Sequence, residues 1–449
     1  MTTLAEAPPV RTGAGWLMLA TTASGLVNYV YALLLTHGLT PAEYAAFAGG
    51  QALLLVRATI SAAGIPWILA RELAQPATDR ALVTTFAFWA NLALGSALTV
   101  VITAFVLTFG SPREATVIAL ASLIMSVGST SMGFLQGTNR MGLMALLFAV
   151  EAALKASVGA ILVFALHLGS TGALAGFVVG SLVLLAPWPL YRHLVGRPTI
   201  AHTSLLRGAL RQTRLQGAVA VTAAGDTVLA ALFGGASAYQ AASALGRVPL
   251  FASNAVATAA FPRIGSALSK GAALRAYLLV GIFMTGAMIT LPAALRSALF
   301  PATFAAVGRW LPYAAVLGLA IGLLNLCVSF LQATTGSSGL VVASAVVYLG
   351  LVALSGWAFS TAGLAVGSAL FALLTVAALA FLPSVRPGWR ALFGCRRNLR
   401  DLSFVLTLIC VLGLATNPAL WLTVVALGGL AVLALAFPEF APRRVFAPR

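Results

Sequence analysis

The sequence predicts an all-α integral membrane protein. It is expected to hold roughly fourteen transmembrane helices: two six-helix lobes, related by a pseudo-two-fold along the membrane normal, and a C-terminal helix pair. Three observations predict this. Hydrophobic residues make up 61% of the 449 residues and charged residues only 8%, with a mean hydropathy of +1.01, whereas a water-soluble domain of this length needs far more surface charge. Apolar runs of about 20 residues recur along the whole chain, each long enough to cross roughly 30 Å of hydrocarbon. Finally, the basic residues are sorted between alternate loops.

The expected spans are residues 16–37, 44–70, 81–109, 115–137, 141–166, 171–190, 213–234, 238–261, 276–295, 310–333, 339–359, 362–382, 402–416 and 418–437. The first, from Trp16, is too long for a signal-peptide core and reads as a retained span. The last two follow from a run too long for one crossing, which Asn417-Pro418 divides as a turn. With both termini placed in the cytoplasm, 20 of the 26 basic residues fall in cytoplasmic segments, and Arg113, Arg296 and Arg309 fall outside. This positive-inside bias supports an even number of spans and a multi-pass plasma-membrane protein. It also accounts for the net charge of +17 without nucleic acid, since the basic loops face anionic inner-leaflet lipids.

Residues 1–191 thus form the first lobe, 192–212 a cytoplasmic linker, 213–383 the second lobe, 384–401 a basic cytoplasmic loop, and 402–449 the last two spans and tail. In the linker Arg207, Arg211 and Arg214 follow i, i+4, i+7, beside Leu206, Leu210 and Leu215. That pattern predicts a basic amphipathic helix on the inner leaflet, with a solvated linker as the alternative. The two lobes share a faint internal repeat. "LLLVRATISAAGIPWILARELA" and "SALGRVPLFASNAVATAAFPRIGSAL" each place an intramembrane Arg before a Pro and a closing Arg. Six spans per lobe make such repeats parallel. The cysteines Cys327, Cys395 and Cys410 and the four histidines are scattered, so neither a disulfide framework nor a metal site is expected.

Three segments carry a resemblance. "LLLTHGLTPAEYAAFAGGQALLLVRATISAAGIPWILARELAQ" resembles the opening of the polysaccharide flippases, within the multidrug/oligosaccharidyl-lipid/polysaccharide exporter superfamily. Thr40-Pro41-Ala42-Glu43-Tyr44 occupies the family's first turn, with Thr40 and Ala45 in place of its glycines. "SLLRGALRQTRLQGAVAVTAAGDTVLAALFGGASAYQAASALGR" is similar to the family's seventh span, Asp226 and Tyr239 matching an intramembrane Asp and a later Tyr. Thr227 stands where the family often has a basic residue. "AAFPRIGSAL" resembles the close of span eight. The resemblance implies two lobes forming a V about a central cavity that opens alternately to each side, and a lipid-linked sugar as cargo.

Five ionisable residues lie well inside spans: Arg57, Glu151, Lys155, Asp226 and Arg247. A mid-bilayer charge costs on the order of 2.5–3.5 kcal/mol on insertion scales, so each needs a partner or a wet cavity. Glu151 and Lys155 share a helix face at i, i+4. They form either a self-neutralised pair or a cavity face on which Lys155 meets a phosphate and Glu151 is its charge partner. Arg57 and Arg247 have no acid at i±3 or i±4. They are candidates for clamping a diphosphate from the two lobes, the alternative being an acid on another span. Asp226 is a candidate for binding a coupling ion, H⁺ or Na⁺, or else a counter-ion to an arginine.

The leading reading is a flippase carrying a polyprenyl-diphosphate-linked oligosaccharide from the inner to the outer leaflet, without covalent chemistry or cofactor, and working with a polysaccharide polymerase and glycosyltransferases. The alternative is a multidrug or organic-cation efflux antiporter of the same superfamily, though the net +1 of the five charges disfavours a cationic cargo. A membrane-embedded glycosyltransferase or ligase ranks third, because the external acids are only Glu43 and Glu114.

Overall fold

The computed structural model describes residues 11–76, 78–198, 203–250, 253, 256, 266–332 and 339–437. The chain divides into two compact units, Met1–Ala220 and Val221–Arg449. Among the described residues every regular element is helical.

The first unit holds α1 (Arg11–Gly38), α2 (Pro41–Ala63), α3 (Ile65–Leu73), α4 (Arg80–Val106), α5 (Pro112–Gly137), α6 (Met141–Phe164), α7 (Gly169–Leu182) and the short α8 (Trp188–Tyr191). The turn before α2 shows what Thr40 does there. Its hydroxyl accepts from the Glu43 amide at 3.3 Å, and the Glu43 carboxylate accepts from the Thr40 amide at 2.9 Å. That is a reciprocal cap at a helix start, with Pro41 where a missing N–H costs nothing. Ser111, Pro112 and Glu114 repeat the device at α5. Expected span two is broken at Gly64, just before Pro66, whose ring cannot continue the ladder. A side chain at 64 would collide with the Thr213 hydroxyl, so the break admits a neighbouring helix.

That neighbour is α9 (Thr203–Phe233), and the division between units falls inside it. The helix expected over the second half of the linker does form, but as the start of α9 rather than as a separate surface element. No proline interrupts Thr203–Phe233, and Ala209 is buried in the cluster of Ile65, Ile68 and Leu69, so packing carries the helix straight on. Arg207, Arg211 and Arg214 remain exposed. The preceding linker residues 199–202 lie outside the described residues.

The second unit continues with α10 (Ser237–Gly246), α11 (Ala267–Ile289), α12 (Ala293–Leu299), α13 (Val307–Gln332), α14 (Gly339–Ala380), α15 (Arg386–Phe393), α16 (Arg396–Leu414) and α17 (Pro418–Ala436). The close of expected span eight, including Arg263, lies outside the described residues. The α14 segment spans 42 residues, about 63 Å at 1.5 Å per residue and twice the hydrocarbon thickness. Ser360 breaks it at φ 53°, ψ −138°, between expected spans eleven and twelve. Ten helices among the described residues are long and apolar enough to cross a membrane, α14 counted once, so the count of fourteen is not reached by that measure. Large apolar side chains face outward, Trp357 and Phe381 among them, as a lipid-facing surface requires.

Candidate functional site

The five intramembrane charges settle into three arrangements, one of which leaves a cation without an acid among the described residues. Arg57 is fully buried on α2, which packs on α4 and α5. Its Nε donates to the Ser122 hydroxyl at 3.0 Å, and one Nη donates to the Ser126 hydroxyl. Ser126 passes its own proton to the Ser122 carbonyl at 3.0 Å. Thr99 donates to the Gly95 carbonyl at 2.8 Å, so the 2.7 Å contact between Ser122 and Thr99 is donated by Ser122. The absence of a side chain at Gly95 makes room, because a Cβ there would overlap Ser126 and come 3.2 Å from the guanidinium. The other Nη is buried with no hydrogen-bond partner, and no described acid pairs with Arg57. The sequence marked Arg57 but not its cradle. The available signal was Ser122 and Ser126, i and i+4 within an apolar span.

Arg247 follows α10, whose last residue Gly246 touches Gly318 and Ala314 of α13 so closely that a side chain is excluded. Its Nη2 donates to Asp226 at 2.6 Å and to the Thr227 hydroxyl at 2.6 Å. Thr227 therefore serves as an acceptor at the position where a basic residue would repel Arg247. The other Asp226 oxygen accepts from the Tyr239 hydroxyl at 2.8 Å and from Ser243 at 3.4 Å, and Tyr239 also meets Ser368 at 2.9 Å. Asp226 is fully buried. The pair is thus neutral overall and set among hydroxyls, though Arg247 Nε and the Tyr348 hydroxyl are buried without partners. Of the two Asp226 readings, the geometry displays the counter-ion.

Glu151 and Lys155 form an ion pair of 3.2 Å on the face of α6 that packs against α7. Lys155 is nearly buried, its backbone against Gly176 and Gly180, and its ammonium lies 4.9 Å from the Phe177 ring centre. A carboxylate and a ring face together meet this charge. The structure therefore puts the pair in a helix–helix contact, where small residues on α7 let the two backbones approach.

The family model for polysaccharide biosynthesis proteins matches residues 10–268, more than half of the chain. No curated protein matches the sequence. Among solved structures, the lipid II flippase MurJ in an inward closed conformation is similar over 94% of this chain and 99% of its own, at 13% identity and a TM-score of 0.71. An inward-facing multidrug resistance MATE family transporter of the MOP superfamily is similar over 86% of this chain and 96% of its own, at 13% identity and a TM-score of 0.61. A MOP superfamily transporter from Pyrococcus furiosus is similar over 87% and 95%, at 16% identity and a TM-score of 0.53. At these identities the likeness is one of fold. Matched by the family model over both arginine sites and built on the MurJ and MATE fold, this multi-pass membrane chain belongs to the polysaccharide biosynthesis protein family.

Proposed function

We propose that the protein is a flippase that moves a polyprenyl-diphosphate-linked oligosaccharide from the inner to the outer leaflet by alternating access. One observation carries this reading: among the described residues Arg57 is a buried cation held only by hydroxyls, with one Nη unpartnered. A doubly charged headgroup does not cross hydrocarbon unaided. A guanidinium with spare donors offers phosphate oxygens a planar fork. Arg247 offers a second, which Asp226 holds until a phosphate displaces it. Asp226, released and buried, then takes up a proton or Na⁺, which couples transport to an ion gradient or to the membrane potential. Lys155, already met by Glu151 and Phe177, serves cargo only after that pair opens.

No covalent chemistry is needed. The two acids expected outside, Glu43 and Glu114, are occupied in capping α2 and α5, and Glu114 also accepts from Ser170. Efflux of an organic cation is the second reading, favoured by one observation: Asp226, a wholly buried acid able to exchange Arg247 for a cationic drug. Purified protein in liposomes separates the two. With a fluorescent lipid-linked oligosaccharide, wild type reorients the headgroup and Arg57→Ala drops to the protein-free rate. If Arg57→Ala flips as fast as wild type, or if wild type moves only cationic dyes, the flippase reading is lost.

A further inference from the structure

A cavity of about 340 Å³ opens in the second unit where α11, the short α15 and the start of α16 meet, lined by neither Arg57 nor Arg247. It lies at the low end of ligand-pocket sizes. Its walls are apolar, with Leu268 and Ala272 of α11 and Ala391 of α15. Its polar groups are Arg275, Arg397 and Asn398. Arg275 is tethered by Asp401 at 2.5 Å, which fixes the guanidinium but leaves its buried Nε without a partner. Arg397 is exposed and forms no ion pair with a described residue. Arg396 and Arg400 stand beside it on the first turns of α16, and Asp401, which pairs with Arg275 and more distantly with Arg400, is the acid described there. Leu268 at the rim is 79% exposed, and Phe393 of α15 is exposed beside its stacked neighbour Trp389.

We propose that this cavity seats the headgroup of an anionic phospholipid, its phosphate between Arg275 and Arg397 and an acyl chain leaving past Leu268. Charge complementarity selects the anion, because the arginines outnumber the one acid. The apolar walls select an amphiphile over a free phosphate, which would leave them bare. The site sits among basic residues that the loop charges place on the cytoplasmic side, where anionic headgroups are concentrated. It stands independently of the cargo, since it uses neither Arg57 nor Arg247.

The test uses the full chain, delipidated in detergent and titrated by native mass spectrometry. Phosphatidylglycerol, phosphatidylcholine and glycerol 3-phosphate are compared. Phosphatidylglycerol is expected to bind in preference to both others. Arg397→Gln, at an exposed position, is expected to weaken it about fivefold, the weight of one basic residue near a membrane surface. Ala272→Phe fills the cavity and is expected to remove the site, with circular dichroism confirming its helix content. Equal binding of phosphatidylcholine, unchanged phosphatidylglycerol binding by both variants, or glycerol 3-phosphate binding as tightly as the lipid would each overturn the proposal.

Discussion

Arg57 and Arg247 occupy comparable places in the two halves of the sequence, each before a proline in an expected span, yet they meet their surroundings in opposite ways. Arg247 is neutralised by Asp226 at 2.6 Å, and Tyr239 and Ser243 hold the carboxylate in turn. Arg57 is neutralised by nothing described and is held by Ser122 and Ser126 alone. A repeat in the order of residues is therefore not a repeat in electrostatics. One unit holds a buried cation with no described counter-ion, and the other holds its cation in an ion pair.

The sharpest way to break this comparison is to remove the acid. Asp226→Ala leaves Arg247 buried and unpaired and should destabilise the protein by about 3–5 kcal/mol. The neutral double variant Asp226→Asn with Arg247→Gln should recover most of that loss. Unfolding in detergent, followed by denaturant titration, measures both. Next in size is the cradle. Removing one hydroxyl, Ser122→Ala, strips Arg57 of one acceptor and should cost about 1.5–3 kcal/mol, the range for a single hydrogen bond to a charged group. Glu151→Gln should cost less, about 1 kcal/mol, because Phe177 still faces the Lys155 ammonium. Arg57→Met should change stability least, by about 1 kcal/mol or less in either direction, since a similar-sized apolar side chain replaces a charge that has no counter-ion among the described residues. A large loss with Arg57→Met would reveal an acid partner outside the described residues.

The helical membrane fold was legible because hydropathy and length constrain a span directly. Even the break at Ser360 fell where the pattern divided two crossings. The five buried charges were legible for the same reason: each stands out in an apolar run. Their partners were less so. Glu151 with Lys155 follows from i, i+4 spacing, but Ser122 reaches Arg57 from another helix, 65 positions away, and no local pattern encodes that contact. Asp226 as partner of Arg247 was one of two open readings, since a lone acid in an apolar run marks either a counter-ion or an ion site. The continuity of α9 was missed because polarity changes at residue 212 while backbone geometry does not.

The hydroxyl relay behind Arg57 has a directional consequence. Ser126, Ser122 and Thr99 each commit their single proton to a carbonyl or to the next oxygen in line, so the wire is polarised away from the guanidinium. Arg57 keeps one idle, buried Nη, and none of these three hydroxyls has a proton to spare. Deleting Thr99's hydroxyl would free the Ser122 proton for another acceptor and so undo that polarity.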